Sequence, residues 1–166
     1  GMLSPILYRS YDAGRRMTHL YRGEQVDACI PRYMLNPRCR VPLWELVFHD
    51  CVISYWYWGD STNCCPELIR LRDLFCRLYG LPPLYSFAAK EWEQLRPMIL
   101  DSYQRTTPLA QRLAFCEMTE FQYLRPDRLI QKTVFSDGTT VVANFSSEPF
   151  RYRGVTIAPL DSYIGR

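Results

Sequence analysis

Val134-Phe-Ser-Asp-Gly-Thr-Thr-Val-Val-Ala-Asn-Phe145 sets the fold class of the C-terminal quarter of this chain. Asp137-Gly138 lies between two β-prone runs, which is the strongest short-range signal for a β-hairpin. Val134 and Val141 then fall on facing strands. Working outward, Thr119–Tyr123, Leu129–Phe135, Thr139–Phe145 and Gly154–Ile157 are short runs of the same character. Turn formers separate them: Ser136-Asp137-Gly138, Ser146-Ser147-Glu148-Pro149 and Arg153-Gly154. The pattern predicts an antiparallel meander of four or five strands. Its apolar and polar positions alternate, so one face should be packed and the other wet.

Upstream of Thr119 the chain reads as mostly helical. Leu68, Leu71, Arg72, Phe75, Leu78 and Tyr79 recur at i, i+3, i+4, i+7. Pro66 suits a first helical position, and Gly80 followed by Pro82-Pro83 closes the helix. A second helix is expected over about Ala88–Gln104, kinked or started at Pro97. A third is expected over about Pro108–Met118, with Thr107 as N-cap. Residues 5–40 predict one short helix and a long irregular connection. Pro42-Leu-Trp-Glu-Leu-Val-Phe-His-Asp-Cys-Val-Ile-Ser-Tyr-Trp-Tyr-Trp58 is rich in β-branched and aromatic residues. It predicts a strand near Leu46–Ser54, covered on both faces.

Composition narrows the function classes. The 166 residues are 48% hydrophobic and 22% charged, with a net charge of +3. That is an ordinary globular balance with no cationic run, so no nucleic-acid partner is expected. No 18-residue apolar stretch exists, so no membrane span is expected. Met2-Leu3-Ser4-Pro5 lacks the basic and apolar regions of a signal peptide, which points to a cytoplasmic location. The seven Cys include no C-x-x-C pair. They read as reduced, partly buried thiols, with no metal and no cofactor.

Two groups of residues could carry chemistry. His49-Asp50 ends the apolar run, and a polar pair in buried surroundings needs partners or a function. On a strand the two side chains diverge, so they share a pocket only if the strand ends or bulges there. The alternative is a hydrogen-bonded pair that stabilises the strand end. Tyr55-Trp56-Tyr57-Trp58-Gly59-Asp60 follows. Four consecutive aromatics cannot all point inward, so a Trp can line a cleft or an interface, where its face stacks on a sugar ring. The remaining acids, including Glu45, Glu67, Asp73 and Asp101, mostly read as solvated faces or helix ends. No catalytic carboxylate pair, nucleophile elbow, phosphate loop or dinucleotide fingerprint can be assigned.

Val41-Pro-Leu-Trp-Glu-Leu-Val-Phe-His-Asp-Cys-Val-Ile-Ser54, with Trp56-Tyr-Trp-Gly-Asp60, resembles the final barrel strand and loop of bacterial glycoside hydrolases related to the endo-α-N-acetylgalactosaminidase group. Leu78–Phe87 is similar to the segment that follows it. Val134–Phe145 resembles the closing β-module of such enzymes, and Pro159–Ile164 fits its last strand. The resemblance spans residues 40–164 and implies that most of a barrel, with its catalytic acids, has no counterpart here.

The expected fold is therefore α+β. A helical, barrel-end-like region with one or two buried strands (1–118) precedes an antiparallel β-module (119–166). The expected function is that of a C-terminal portion of a glycoside hydrolase-like protein lacking the catalytic carboxylates. His49, Asp50, Trp56, Trp58 and Asp60 would contact a carbohydrate partner. The alternative is a non-catalytic carbohydrate-binding or protein-interaction module, self-associating through a strand edge or the aromatic patch.

Overall fold

The computed structural model describes residues 35–55, 69–85 and 87–166. The short helix expected within residues 5–40 lies mostly outside them. The helical part comprises α1 (Leu43–Phe48), α2 (Ile69–Tyr79), a 3-10 turn (Ala89–Glu91) and α3 (Trp92–Leu113). Six strands follow: β1 (Met118–Tyr123), β2 (Ile130–Phe135), β3 (Thr140–Asn144), β4 (Phe150–Tyr152), β5 (Val155–Ile157) and β6 (Asp161–Gly165). The architecture is α+β, as the sequence implies.

The sheet runs in the order β1-β2-β3-β6 with every pair antiparallel, and β4-β5 forms a separate hairpin. At the β2–β3 turn the Gly138 amide donates to the Phe135 carbonyl (2.9 Å), and Gly138 has φ +83°. This is a three-residue loop with glycine in the left-handed position. Asp137 locks it by accepting from the Thr139 amide and hydroxyl, each at 2.8 Å. The register pairs Val134 with Thr140 and Thr133 with Val141. At β4–β5 both Arg153 (φ 48°) and Gly154 (φ 83°) are left-handed, as a two-residue type I′ turn requires.

The sheet has no wet face at its centre, which corrects the alternation argument. All five residues of β3 are buried. Val141, Ala143 and the following Phe145 pack with the helices, whereas Val142 packs with Ile130 and Ile157 under the β4–β5 hairpin. Asn144 anchors that fold-back: its Nδ2 donates to the carbonyls of Glu148 (2.8 Å), Ile157 (3.1 Å) and Ala158 (3.2 Å). The hairpin therefore covers what a simple meander leaves exposed.

The main core joins helix to sheet. Phe75, Leu78 and Tyr79 of α2 and Leu113 of α3 are 0% exposed and pack with Phe135, Val141, Ala143 and Phe145. Burying each large side chain contributes about 1.5–3 kcal/mol. Polar ties reinforce the layer. Thr133 donates to the Leu78 carbonyl at the end of α2 (2.6 Å), and Arg77 pairs with Asp161 of β6 (3.0 Å).

Two further expectations are corrected. The helices expected over Ala88–Gln104 and Pro108–Met118 are one helix, and Thr107 lies inside it. Pro97 and Pro108 are both exposed, so the carbonyls they leave unpaired, of Glu93 and Gln104, fall at exposed residues that water reaches. Meanwhile Leu95, Ile99, Ser102, Thr106, Leu109 and Leu113 form an unbroken buried stripe. The strand expected at Leu46–Ser54 is instead α1, then a turn and a short extended piece. No strand pairs with it among the described residues, and β-propensity is expressed only where a ladder satisfies the backbone. The helix supplies its own bonds, as in His49 N–H to the Glu45 carbonyl (3.2 Å).

Candidate functional site

His49 sits at the C-terminal end of α1, 5% exposed. Its Nδ1 lies 2.7 Å from the Cys116 carbonyl oxygen. A carbonyl only accepts, so Nδ1 carries the proton and donates. Its Nε2 is buried with no hydrogen-bond partner among the described residues, and the ring lies 5.1 Å from that of Phe135. Beneath it is Gly80, where α2 ends. The Leu81 amide donates to the Cys76 carbonyl (2.9 Å) and the Gly80 amide to that of Arg77 (3.3 Å), a Schellman closure with Gly80 at φ +68°. A Cβ on Gly80 would stand 2.8 Å from His49 Nε2 and 3.2 Å from both Leu113 and Phe135. Glycine is needed there twice, for the backbone and for the imidazole.

Asp50 points away from that core. It is half-buried and accepts from the Cys51 thiol at 3.2 Å. That hydrogen bond, together with the carboxylate's charge, holds the Cys51 thiol above its ordinary pKa. His49 and Asp50 therefore diverge as expected for adjacent residues, although on a helix end rather than a strand. No bond joins them; the partner of His49 is Cys116. Trp56, Trp58 and Asp60 lie outside the described residues.

Two buried charged groups escaped the sequence reading. Asp73, expected on a solvated face, is 2% exposed, and Arg72 beside it is 0% exposed. Asp73 accepts from Arg72 (2.9 Å), Ser102 (2.7 Å) and Arg105 (2.6 Å). Ser102 also accepts from Arg72 and from the Tyr85 hydroxyl, each at 2.8 Å. Arg72 reaches the Leu84 carbonyl and lies over the Tyr85 ring. The carboxylate is thus enclosed by donors, which suits a clamp of α2 to α3 and not a site that receives a substrate. Adjacent Arg-Asp at helical spacing, with Ser and Arg three residues apart on the next helix, is the only trace of it in the sequence.

Glu45 is the second group, 5% exposed on the inner side of α1. Burial raises its carboxyl above the usual range, and Arg40 and His49 nearby pull it back only in part. The four described cysteines, Cys39, Cys51, Cys76 and Cys116, are free thiols in no disulfide. Among the described residues no group of three His, Cys, Asp or Glu is placed to hold a metal. Among the same residues no helix is long and apolar enough to cross a membrane.

Residues 13–134 match the sequence family described as glycosyl hydrolases related to the GH101 family, GH129. The chain belongs to this family. The GH129 match covers α1, the His49–Asp60 segment, α2, α3, β1 and most of β2, and it stops before β3. Among solved structures, the chain is similar to the α-N-acetylgalactosaminidase NagBb from Bifidobacterium bifidum. In its GalNAc complex the identity is 23% and the TM-score 0.48, over 76% of this chain and 18% of that one. In a quadruple mutant the identity is 29% and the TM-score 0.44, over 64% and 16%. In the ligand-free form the values are 23% and 0.42, over 84% and 25%. The GH129 chain described here thus spans a quarter or less of these relatives. No curated protein sequence matches it.

Two outcomes follow from this geometry. Gly80→Ala should cost about 2–4 kcal/mol, combining left-handed strain with overpacking. In a His49→Ala background the cost should fall by about 1 kcal/mol or more, because the Nε2 contact is gone while the strain stays. Denaturant melts of the double-mutant cycle measure this, and additive costs would contradict the shared contact. Glu45→Gln removes a charge whose folded pKa is raised, so wild type carries a penalty that sets in as pH rises above the unfolded value of 4.5. The variant's stability relative to wild type should therefore improve between pH 4 and pH 8. A flat difference in paired thermal melts would refute it.

Proposed function

We propose that this chain acts as the C-terminal portion of a glycoside hydrolase-like protein, supplying sugar contacts and a β-cap and lacking the catalytic carboxylates. What carries the proposal is that the family match runs through the His49–Asp60 segment. In this reading Asp50, Trp56, Trp58 and Asp60 make the sugar-facing end. Indole faces stack on the apolar face of a pyranose, and the two carboxylates accept from its hydroxyls. His49, expected among the contacts, serves from beneath: its Nδ1 hydrogen bond to Cys116 fixes the base of the segment. In this reading residues 119–166 are the cap over the described helices α1, α2 and α3.

Asp73, enclosed by its donors, and Glu45, turned inward, leave no open face toward a glycosidic oxygen, so neither is assigned a catalytic role in this reading. The ligand in the solved NagBb complex, GalNAc, names the first sugar to try. A protein-interaction module is the second reading, favoured by the apolar outer face of α1.

Titration of the folded chain with GalNAc and a glycan panel, followed by NMR or calorimetry, tests the proposal. Trp56→Ala and Trp58→Ala should each weaken binding about tenfold or more, at roughly 1.4 kcal/mol per tenfold change. Hydrolysis of an aryl N-acetylgalactosaminide should stay at the background rate. A folded chain that binds no glycan at all would sink it.

A further inference from the structure

A helix of six residues does not hold itself in water, and α1 has no side-chain cap at Pro42. Its inner side carries Glu45 and His49, and of its apolar residues Leu46 packs against the main core. The chain just ahead of it is tied to the sheet instead. The carbonyls of Pro37, Arg38 and Arg40 each accept from a side chain at the β1–β2 end: from Gln131 Nε2 (2.8 Å), Arg128 Nη1 (3.0 Å) and the Tyr123 hydroxyl (2.9 Å).

The three donors support one another. Gln131 is buried, and its Nε2 also donates to the Arg128 carbonyl (2.9 Å). Arg128 lies over the Tyr123 ring at 5.2 Å and takes a left-handed backbone (φ 63°), which a residue with a Cβ adopts only against strain. All three bonds end on backbone oxygen, so they fix the course of this stretch and leave its side chains to other partners. Arg40 uses that freedom. Its guanidinium turns inward, 5.8 Å from the Phe75 ring centre and within electrostatic reach of Glu45 and Tyr79.

At the far end of α1, His49 Nδ1 donates to the Cys116 carbonyl (2.7 Å). Tyr123 closes β1 and Cys116 stands just before its start, so the two ties lie at opposite ends of one strand and α1 spans between them. We propose that Tyr123, Arg128 and Gln131 are positioning residues for the sugar-facing segment: by clasping the chain ahead of α1 they set where the helix, and with it Asp50, stands along β1. The sugar part of this rests on the glycan reading above; the clasp itself does not.

The double variant Tyr123→Phe/Arg128→Asn removes two of the three bonds. Phe keeps the ring, and Asn tolerates the left-handed backbone but is too short to reach the Arg38 carbonyl. Hydrogen exchange of the chain reads the result. The Leu46 and His49 amides, bonded to the carbonyls of Pro42 and Glu45, should exchange about tenfold faster than in wild type, whereas those of Phe75 and Val141 should change by a smaller factor. A glycan that wild type binds should bind about tenfold more weakly, and Tyr123→Phe alone, with Arg128 restored, should recover part of both effects. A general loss of stability would speed all four amides alike and overturn the proposal, as would α1 amides that do not respond. Faster α1 exchange with unchanged glycan affinity would overturn the positioning role. Were wild type to bind no glycan, the function proposed above would fall and the sugar part of this proposal with it, while the exchange result would still decide the clasp.

Discussion

Helix α2 ends in a space that only glycine fits, and the arrangement of the helical layer on the sheet depends on that point. Gly80 meets His49 at the end of α1, Leu113 at the end of α3 and Phe135 at the end of β2. Three helix termini and one strand therefore converge on one residue without a side chain. The left-handed backbone lets α2 stop there, and the Schellman bonds satisfy its last carbonyls. Thr133 takes the neighbouring Leu78 carbonyl, so the helix end is closed by the sheet itself.

From that junction the core spreads as one body. Phe75 lies 4.5 Å from Phe145, and Leu78 and Tyr79 share the cluster with Val141 and Ala143. The change in chain character near residue 118 is a change of secondary structure, helix to strand, and the core runs across it. The outer layer is built separately: the β4–β5 hairpin folds back over Ile130 and Val142, tied by Asn144.

Local rules made much of this legible. Asp137-Gly138 and Arg153-Gly154 specify their turns through backbone conformation, which a few residues determine. The α2 periodicity and the Gly80 stop read correctly for the same reason. Features governed by distant partners did not. The aromatic, β-branched run at 42–58 has strand propensity, but without a neighbouring ladder residues 43–48 close their own hydrogen bonds as a helix. Asp73 and Glu45 resemble solvated acids until Ser102, Arg105 and the overlying elements are placed around them. Pro108 suggests a helix start until its exposed side is known. For the candidate site, the divergence of His49 and Asp50 was legible, whereas the inward role of His49 was not, because Cys116 is 67 residues away.

The account rests on a single cooperative core shared by α2 and the sheet. Native-state hydrogen exchange tests it most directly. Amides of Phe75 and Leu78 in α2 should exchange with the same opening free energy as Val141 and Val142 in β3, through global unfolding. If α2 opens at a free energy well below that of β3 while the sheet stays protected, the helix and sheet are separate units and the account is wrong.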